Sequence, residues 1–222
     1  MLFHTLLQRS CVLTAYSIKG YNIILLNLTF IGFKKVLVRL ILKCLGWKIE
    51  GHIPANIDKL VLIGVPHTSN WDFFVMLGCA WHFGLNIKWL GKESLFSNIV
   101  MRTLSTMMGG IKVDRSNADQ TVDKIATTLT SCKQRIALAI APEGTRSKKP
   151  GWRSGFFYIA QQAKIPLGLG YADYPNKIMG VGPILYELKD IDNTMQTIQN
   201  FYKDIVGKNP ENKSPIRISS NL

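Results

Sequence analysis

Residues 60–83 read LVLIGVPHTSNWDFFVMLGCAWHF, and this stretch decides the fold class. Its first part, Leu60–Val65, is almost wholly apolar and rich in branched side chains, which predicts a buried strand that ends at Pro66. The serine and asparagine just before Trp71 are N-cap residue types, so a helix is expected over Trp71–Phe83. The stretch therefore predicts a strand, a short turn and a helix.

Short apolar runs alternate with helical patterns over the following residues. Further strands are predicted at Ile87–Leu90, Ile111–Val113, Ile136–Ala141, Pro166–Tyr171 and Ile178–Val181. Further helices are predicted at Ala118–Ser131, Gly155–Ala163 and Ile191–Val206. The strand that begins at Ile136 is almost uniformly apolar, as buried parallel strands are. Strands that alternate with helices predict an α/β fold, with a layered sheet and flanking helices.

The amino-terminal part of the chain has a composition of its own, basic and apolar with no Asp or Glu before Glu50. Its most apolar run, residues 21–33, is much shorter than the roughly 20 apolar residues that a membrane-spanning helix needs. Lys34–Leu45 has the pattern of an amphipathic helix, because Lys35, Arg39 and Lys43 recur every four residues among apolar side chains. Such a helix is expected at the headgroup level of an anionic membrane. The alternative is a core helix with three snorkelling cations.

These patterns divide the chain into three parts. Residues 1–49 are expected to form a membrane-associating helical segment, and residues 50–206 one α/β domain. Residues 207–222 are polar and contain two prolines, which predicts a loosely held tail. A length of 222 residues suits one large core rather than two domains.

The net charge of +13 raises the question of a nucleic-acid partner. The sequence has no RNP-type motif, zinc framework or helix-turn-helix pattern, so we do not expect nucleic acid to be the partner. The four cysteines, Cys11, Cys44, Cys79 and Cys132, are far apart and form no C-x-x-C pair. This spacing favours small apolar core residues over a metal site or a disulfide scaffold.

His67 and Asp72 are the best candidates for chemistry. The chain has no G-x-S-x-G nucleophile elbow, no complete phosphate-binding glycine loop and no H-E-x-x-H zinc pattern. If His67 lies in the turn and Asp72 in the first helical turn, the carboxylate can bind one imidazole nitrogen while the other nitrogen takes a proton. The alternative is a structural histidine at a strand end.

Two later segments carry cations and glycines next to predicted strands. In one, Gly109 and Gly110 precede the strand Ile111–Val113 and Arg115 follows it, and the other contains Gly144 and Arg146. An arginine can bind a phosphate through two parallel N–H bonds, and a glycine lets the backbone approach it closely. Because strand ends gather the ligand in an open α/β sheet, these segments and His67 are predicted to form one site.

The chain resembles the 1-acylglycerol-3-phosphate acyltransferase family, whose members carry a His-x-x-x-x-Asp motif. His67 and Asp72 match that motif, which is the first of four family motifs. The four matches occur in the same order as in the family, and the resemblance covers about residues 58 to 185. The later matches are Gly110 to Arg115, Glu143 to Ser147, and Ile165 with Pro166. The chain departs from the family pattern at Pro66, Ala141, Trp152 and Arg153.

The resemblance implies an acyltransferase domain and direct acyl transfer, with no metal or other cofactor and no acyl-enzyme. His67 would be the general base and Asp72 its orienting partner. The phosphate of the acceptor would be held by Arg115 and Arg146, with Lys92 and Lys112 as further candidates, in a pocket shaped by Glu143, Gly144 and Thr145.

The leading acceptor is 1-acylglycerol 3-phosphate, which would give phosphatidic acid in phospholipid biosynthesis. The acyl donor would be acyl-CoA or acyl-carrier protein. Another lysophospholipid, glycerol 3-phosphate or a lyso-aminolipid stays open as the acceptor. A non-catalytic lipid-binding protein is the alternative from a different class. We expect the protein on a membrane lipid surface, at the cytoplasmic face of a bacterial inner membrane.

Overall fold

A seven-stranded sheet forms the centre of the protein in the computed structural model, which describes residues 36–113 and 118–219. The strands are β1 Lys48–Gly51, β2 Lys59–Val65, β3 Ile87–Lys92, β4 Gly110–Val113, β5 Ile136–Ile140, β6 Leu167–Asp173 and β7 Ile178–Leu185. Their order across the sheet is β1-β7-β6-β2-β5-β3-β4. All neighbouring strands are parallel except the β6–β7 pair. The carboxyl ends of β2 to β6 therefore meet at one edge of the sheet.

Helices cover both faces of this sheet. Residues 36–44 form α1, and the later helices are α2 Trp71–Phe83, α3 Ile99–Met107, α4 Ala118–Ser131, α5 Gly155–Ala163 and α6 Ile191–Tyr202. Alternate residues of β2 point to opposite faces. Val61 and Ile63 pack in one cluster with α4, α5 and α6, whereas Leu62 packs in another with α2. The architecture confirms the predicted α/β class.

The predicted bounds of three helices, α2, α4 and α5, agree with the structure. The final helix ends at Tyr202 rather than at Val206. The sequence patterns missed the edge strand β1, which has two charged residues in KIEG and no apolar alternation long enough to detect. They also missed α3, whose large apolar side chains are exposed rather than turned toward a core. Both failures concern elements at the margin of the fold.

The predicted membrane-associating segment lies mostly in residues 1–35, outside the described residues. Its last part is the helix α1, which packs on α2 through Val38 and Leu42 beside Gly78. The expected domain boundary after residue 49 falls inside β1, because this strand of the sheet begins at Lys48. In the part of the chain that the structure describes, no helix has the length and apolarity needed to cross a bilayer.

The prediction of a loosely held tail is wrong for residues 207–219. Ser214 is buried and accepts a hydrogen bond from the Lys149 N–H (3.0 Å). The Trp152 N–H donates to the Arg217 carbonyl (2.7 Å), and the Trp152 carbonyl accepts from the Ser219 N–H (3.0 Å). These partners lie far away in the sequence, so the polar composition of the segment did not reveal them.

Candidate active site

The turn between β2 and α2 brings His67 and Asp72 together. β2 ends at Val65, α2 begins at Trp71, and the intervening residues turn the chain back at the carboxyl edge of the sheet. His67 Nδ1 lies 3.3 Å from Asp72 Oδ2. Five residues separate the pair, which would face different sides of a continuous helix, so the turn is what allows the contact.

Within the described residues, four donors surround the Asp72 carboxylate. Oδ2 accepts hydrogen bonds from the backbone N–H groups of Thr68 and Ser69, both at 2.8 Å, and it also faces His67. Oδ1 accepts a hydrogen bond from the Tyr174 hydroxyl at 2.7 Å. Burial raises the pKa of Asp72, but the hydrogen bonds from His67, Tyr174 and Ser69 outweigh it and leave this pKa below its ordinary value. Asp72 is therefore an anion at neutral pH.

His67 is oriented by Asp72 and still accessible. Its side chain is 27% exposed and lines a cavity at the carboxyl edge of the sheet. Because Nδ1 faces a carboxylate, Nδ1 carries the proton of the neutral ring and Nε2 keeps a lone pair. This is the arrangement of an oriented general base.

Glu143 connects the loop after β5 to the same turn. Its side chain is buried, and Oε2 accepts a hydrogen bond from the backbone N–H of His67 at 3.2 Å. Among the residues that the structure describes, Oε1 has no hydrogen-bond partner. Burial, with a smaller contribution from the nearby Asp72 charge, raises the pKa of Glu143 to about 8. At neutral pH most of this carboxyl is therefore protonated and can donate a hydrogen bond.

The rest of the β5 loop is built around a tight turn. The Gly144 N–H donates to the Ala141 carbonyl (2.9 Å), and Gly144 has a φ of 67°, a conformation that favours glycine. Thr145 and Arg146 follow, and both line the cavity. The Arg146 side chain is exposed, so its guanidinium can reach a ligand at the mouth of the cavity.

The other predicted cations have different positions. Lys92, at the end of β3, lines the cavity, whereas Lys112 is not among the lining residues and pairs with Glu93. Arg115 lies in residues 114–117, outside the described part of the chain. Arg153 lines the cavity beside the loop of Arg146 and was not among the predicted site residues. Its sequence signal was a cation three residues after a proline, which is too common to single out.

Tyr174 was also missed by the sequence analysis. It follows β6, and its hydroxyl meets an aspartate 102 positions earlier in the chain. No local pattern around Tyr174 indicates this contact.

The cavity itself has a volume of about 840 Å³ and is lined by residues from both faces of the sheet, from α2 on one and from α4 and α5 on the other. Besides the polar groups named above, it is lined by apolar side chains such as Phe73, Met76 and Phe83. Gly64 of β2 contributes open space, because an added Cβ there would meet no atom within 4 Å. A largely apolar cavity that is also lined by a His–Asp pair and several cations suits a substrate with an acyl chain and an anionic head.

A metal centre has no basis in the described residues, since no group of three or more His, Cys, Asp and Glu side chains there is placed to bind an ion. The chemistry that the site offers is proton transfer by His67 next to cationic side chains.

Comparisons with known proteins bear on the family and the fold of this chain. The acyltransferase family model matches residues 48–172. A chloroplastic 1-acyl-sn-glycerol-3-phosphate acyltransferase of Brassica napus is 27% identical over 122 residues, which cover 54% of this chain and 33% of that protein. A chloroplastic enzyme of the same name from Arabidopsis thaliana is 26% identical over 142 residues, covering 62% of this chain and 37% of that protein. The matched part is thus only about a third of the length of these relatives.

A solved structure shares the fold. The crystal structure of the 1-acyl-sn-glycerophosphate acyltransferase PlsC from Thermotoga maritima matches with a TM-score of 0.57 and 12% sequence identity. The match covers 91% of this chain and 86% of that chain. At this identity the likeness concerns the fold.

Proposed function

The chain belongs to the acyltransferase family, and from this premise we propose that it transfers an acyl group from an acyl thioester to the free hydroxyl of a lysophospholipid. The preferred acceptor in this proposal is 1-acylglycerol 3-phosphate, which gives phosphatidic acid in phospholipid biosynthesis. The observation that carries the proposal is the contact of His67 with Asp72 at 3.3 Å, beside a cavity lined by apolar residues and cations.

In the proposed reaction Nε2 of His67 removes the proton from the acceptor hydroxyl while the oxygen attacks the thioester carbonyl carbon. The new C–O bond gives a tetrahedral intermediate, and Asp72 stabilises the imidazolium that has formed. The intermediate then collapses, the C–S bond breaks, and the leaving thiolate takes the proton from Nε2. No acyl-enzyme, metal or other cofactor takes part in this scheme.

The acceptor phosphate is assigned to the cations at the mouth of the cavity. Arg146 and Arg153 both line it and lie in the connection between β5 and α5, and Lys92 lies at the end of β3. A guanidinium binds a phosphate through two parallel hydrogen bonds, whereas an ammonium acts as a point charge. Arg146 is therefore the first candidate in this part of the chain, and Arg115 stays a prediction. Glu143 is not among the cavity-lining residues, so its part in this proposal is to hold the backbone of His67.

Association with a membrane surface is part of the same proposal, because both the acceptor and the product are lipids. In α1 the side chains of Val36, Leu40 and Ile41 are 57%, 57% and 48% exposed. Arg39 and Lys43 on the same helix are exposed as well. Apolar side chains next to cations suit the headgroup region of an anionic lipid surface, which supports a location at the membrane.

The test is a panel of acceptors and donors offered to the purified full chain. Thioester consumption is followed with acyl-CoA or acyl-carrier protein as donor. The acceptors are 1-acylglycerol 3-phosphate, lysophospholipids with other headgroups, glycerol 3-phosphate and a lyso-aminolipid. The proposal expects the fastest turnover with 1-acylglycerol 3-phosphate. Faster turnover with another acceptor corrects the substrate, and no turnover with any pair, together with lipid binding, indicates the non-catalytic alternative.

A further inference from the structure

We propose that Tyr174 is a positioning residue of the acyl-transfer site, whose hydroxyl binds Oδ1 of Asp72 and so holds Oδ2 against Nδ1 of His67. This inference rests on the proposed function of His67 as the base. It adds a residue from the β6–β7 connection to the machinery, whereas the site residues implied by the family resemblance all lie between His67 and Arg146.

The topology of the sheet explains how Tyr174 reaches Asp72. β6 runs parallel to β2 as its neighbour, with Val65 paired to Tyr171, so both strands end at the same edge. Tyr174 follows the end of β6 by one residue, while Asp72 is the second residue of α2, the helix that follows β2. The oxygen–oxygen distance of 2.7 Å is typical of a strong hydrogen bond to a charged acceptor.

The two oxygens of the Asp72 carboxylate have separate tasks. Oδ2 receives the backbone N–H groups of Thr68 and Ser69 and faces His67 Nδ1. Over the described residues, the bond to Oδ1 comes from Tyr174. With donors on both oxygens, the carboxylate cannot rotate about its Cβ–Cγ bond without breaking one of them. The Tyr174 bond therefore fixes the plane of the group that orients the base.

Tyr174 itself is held from two other directions. Its ring packs edge-on against Trp47, with ring centroids 5.1 Å apart and planes at 88°. Its backbone N–H donates to the Val206 carbonyl at 3.0 Å. Burial, and then the hydrogen bond to Asp72, raises the pKa of Tyr174 well above its ordinary value, so the hydroxyl keeps its proton. The residue is thus a fixed donor. The substitution Tyr174→Phe would remove the hydroxyl and leave the packing of the ring on Trp47 in place.

The hydroxyl also affects the charge that His67 meets. A donor on Oδ1 draws negative charge away from Oδ2, so its removal leaves Asp72 more strongly attractive to a proton on the imidazole. Because activity needs the unprotonated His67 ring, the loss of activity on the acidic limb of the pH profile then occurs at a higher pH. A tyrosine that served only to pack the β6–β7 connection would not change this pH.

The first experiment compares full-chain Tyr174→Phe with the wild type over a range of pH. The inference expects kcat to fall about 10-fold, the effect of one lost hydrogen bond to a charged group, with KM for the acceptor changed far less. The acidic limb of the kcat/KM profile should move to higher pH. Tyr186→Phe is the control, since Tyr186 is 60% exposed and not among the cavity-lining residues. It should leave kcat and the profile unchanged.

The second experiment repeats Tyr174→Phe in an Asp72→Asn background. If Tyr174 acts through Asp72, the second change adds little to the loss already caused by Asp72→Asn. A wild-type kcat and profile in Tyr174→Phe overturn the inference, as does a full additional loss in the Asp72→Asn background. In either case an active wild type that depends on His67 leaves the proposed function intact. A wild type without any acyl transfer overturns the function and this inference together.

Discussion

The backbone N–H of His67 donates to Oε2 of Glu143 at 3.2 Å, so two loops that follow neighbouring strands are joined at the residue proposed as the base. The carboxyl that accepts this bond is buried, and its other oxygen lacks a partner among the described residues. Folding therefore disfavours its charged form. The position of the base and the protonation of Glu143 are coupled through one hydrogen bond.

This coupling predicts a pH-dependent effect of Glu143→Gln on stability. The pKa of Glu143 is about 8 in the folded chain, above the 4.5 of an ordinary glutamate. The folded state then binds more protons than the unfolded state between these values, so the wild type loses stability as pH rises from about 4.5 to 8. The neutral glutamine does not ionise. Hence the melting temperature of the wild type should fall relative to that of Glu143→Gln. The difference between the two should change by on the order of 5 °C between pH 5 and pH 8.

The control for this measurement is Glu211→Gln, which makes the same change on an exposed side chain. Its melting temperature should follow that of the wild type across the pH range. A constant difference between Glu143→Gln and the wild type at all pH values would contradict a buried, protonated Glu143.

Arg146→Lys should weaken use of the phosphate-bearing acceptor. Lysine keeps the charge but cannot make two parallel hydrogen bonds to a phosphate. KM for 1-acylglycerol 3-phosphate should therefore rise about 10-fold, while KM for the acyl donor changes little. Arg102→Lys, on an exposed arginine that does not line the cavity, is the matched control. Unchanged acceptor kinetics in Arg146→Lys would transfer phosphate recognition to Arg153, Lys92 or Arg115.

Asn209→Ala should destabilise the fold. The Asn209 side-chain amide donates to the Thr68 carbonyl at 2.9 Å and so ties the carboxyl-terminal segment to the turn that holds His67. Loss of this bond costs about 1 kcal/mol. In a chain of this size that lowers the melting temperature by roughly 2–4 °C. Asn200→Ala, on the exposed side of α6, should cause no such decrease. Equal melting temperatures for both variants would show that the segment is held by other contacts.

The elements that the sequence predicted well are those with a strong local signal. The α2 helix begins after two N-cap residue types and ends before Gly84, which adopts the left-handed conformation of a C-cap. The His67–Asp72 contact was also predictable, because a strand end, a proline and a helix start restrict the geometry of five residues. These signals all lie within a few positions of one another.

The features that the sequence did not predict depend on distant partners. Tyr174 meets Asp72 across 102 positions, and Asn209 meets Thr68 across 141. Lys112 lies in the matched segment Gly110 to Arg115, yet its ammonium pairs with Glu93 and it is not among the cavity-lining residues. A single sequence contains no record of which distant side chains become neighbours, so residue type and spacing could not identify these contacts.

Membrane association should depend on three cations, Lys35, Arg39 and Lys43. Each cation adds on the order of 1 kcal/mol near an anionic surface. Changing Lys35, Arg39 and Lys43 together to Glu should therefore release most of the protein from vesicles that contain anionic lipid, as measured by sedimentation. High salt should release the wild type only in part, because burial of apolar side chains does not weaken with salt.

The matched control changes Lys133, Lys164 and Lys189 to Glu. These residues lie near the edge of the sheet opposite the carboxyl ends of β2 to β6. Lys133 comes just before β5, Lys164 just before β6 and Lys189 after β7. The change in net charge is the same, but binding to vesicles should persist. Equal release of both variants would mean that net charge, rather than the α1 surface, governs the association.

The central claim is that His67 performs proton transfer, and the turnover of His67→Ala in the full chain tests it most directly. A positioned acid–base group contributes about 10²–10⁴-fold to the rate. Turnover should fall by that factor with 1-acylglycerol 3-phosphate and an acyl thioester, while the melting temperature stays close to that of the wild type. His52→Ala, on an exposed histidine away from the cavity, should keep normal turnover. A folded His67→Ala protein that turns over at the wild-type rate would contradict the account.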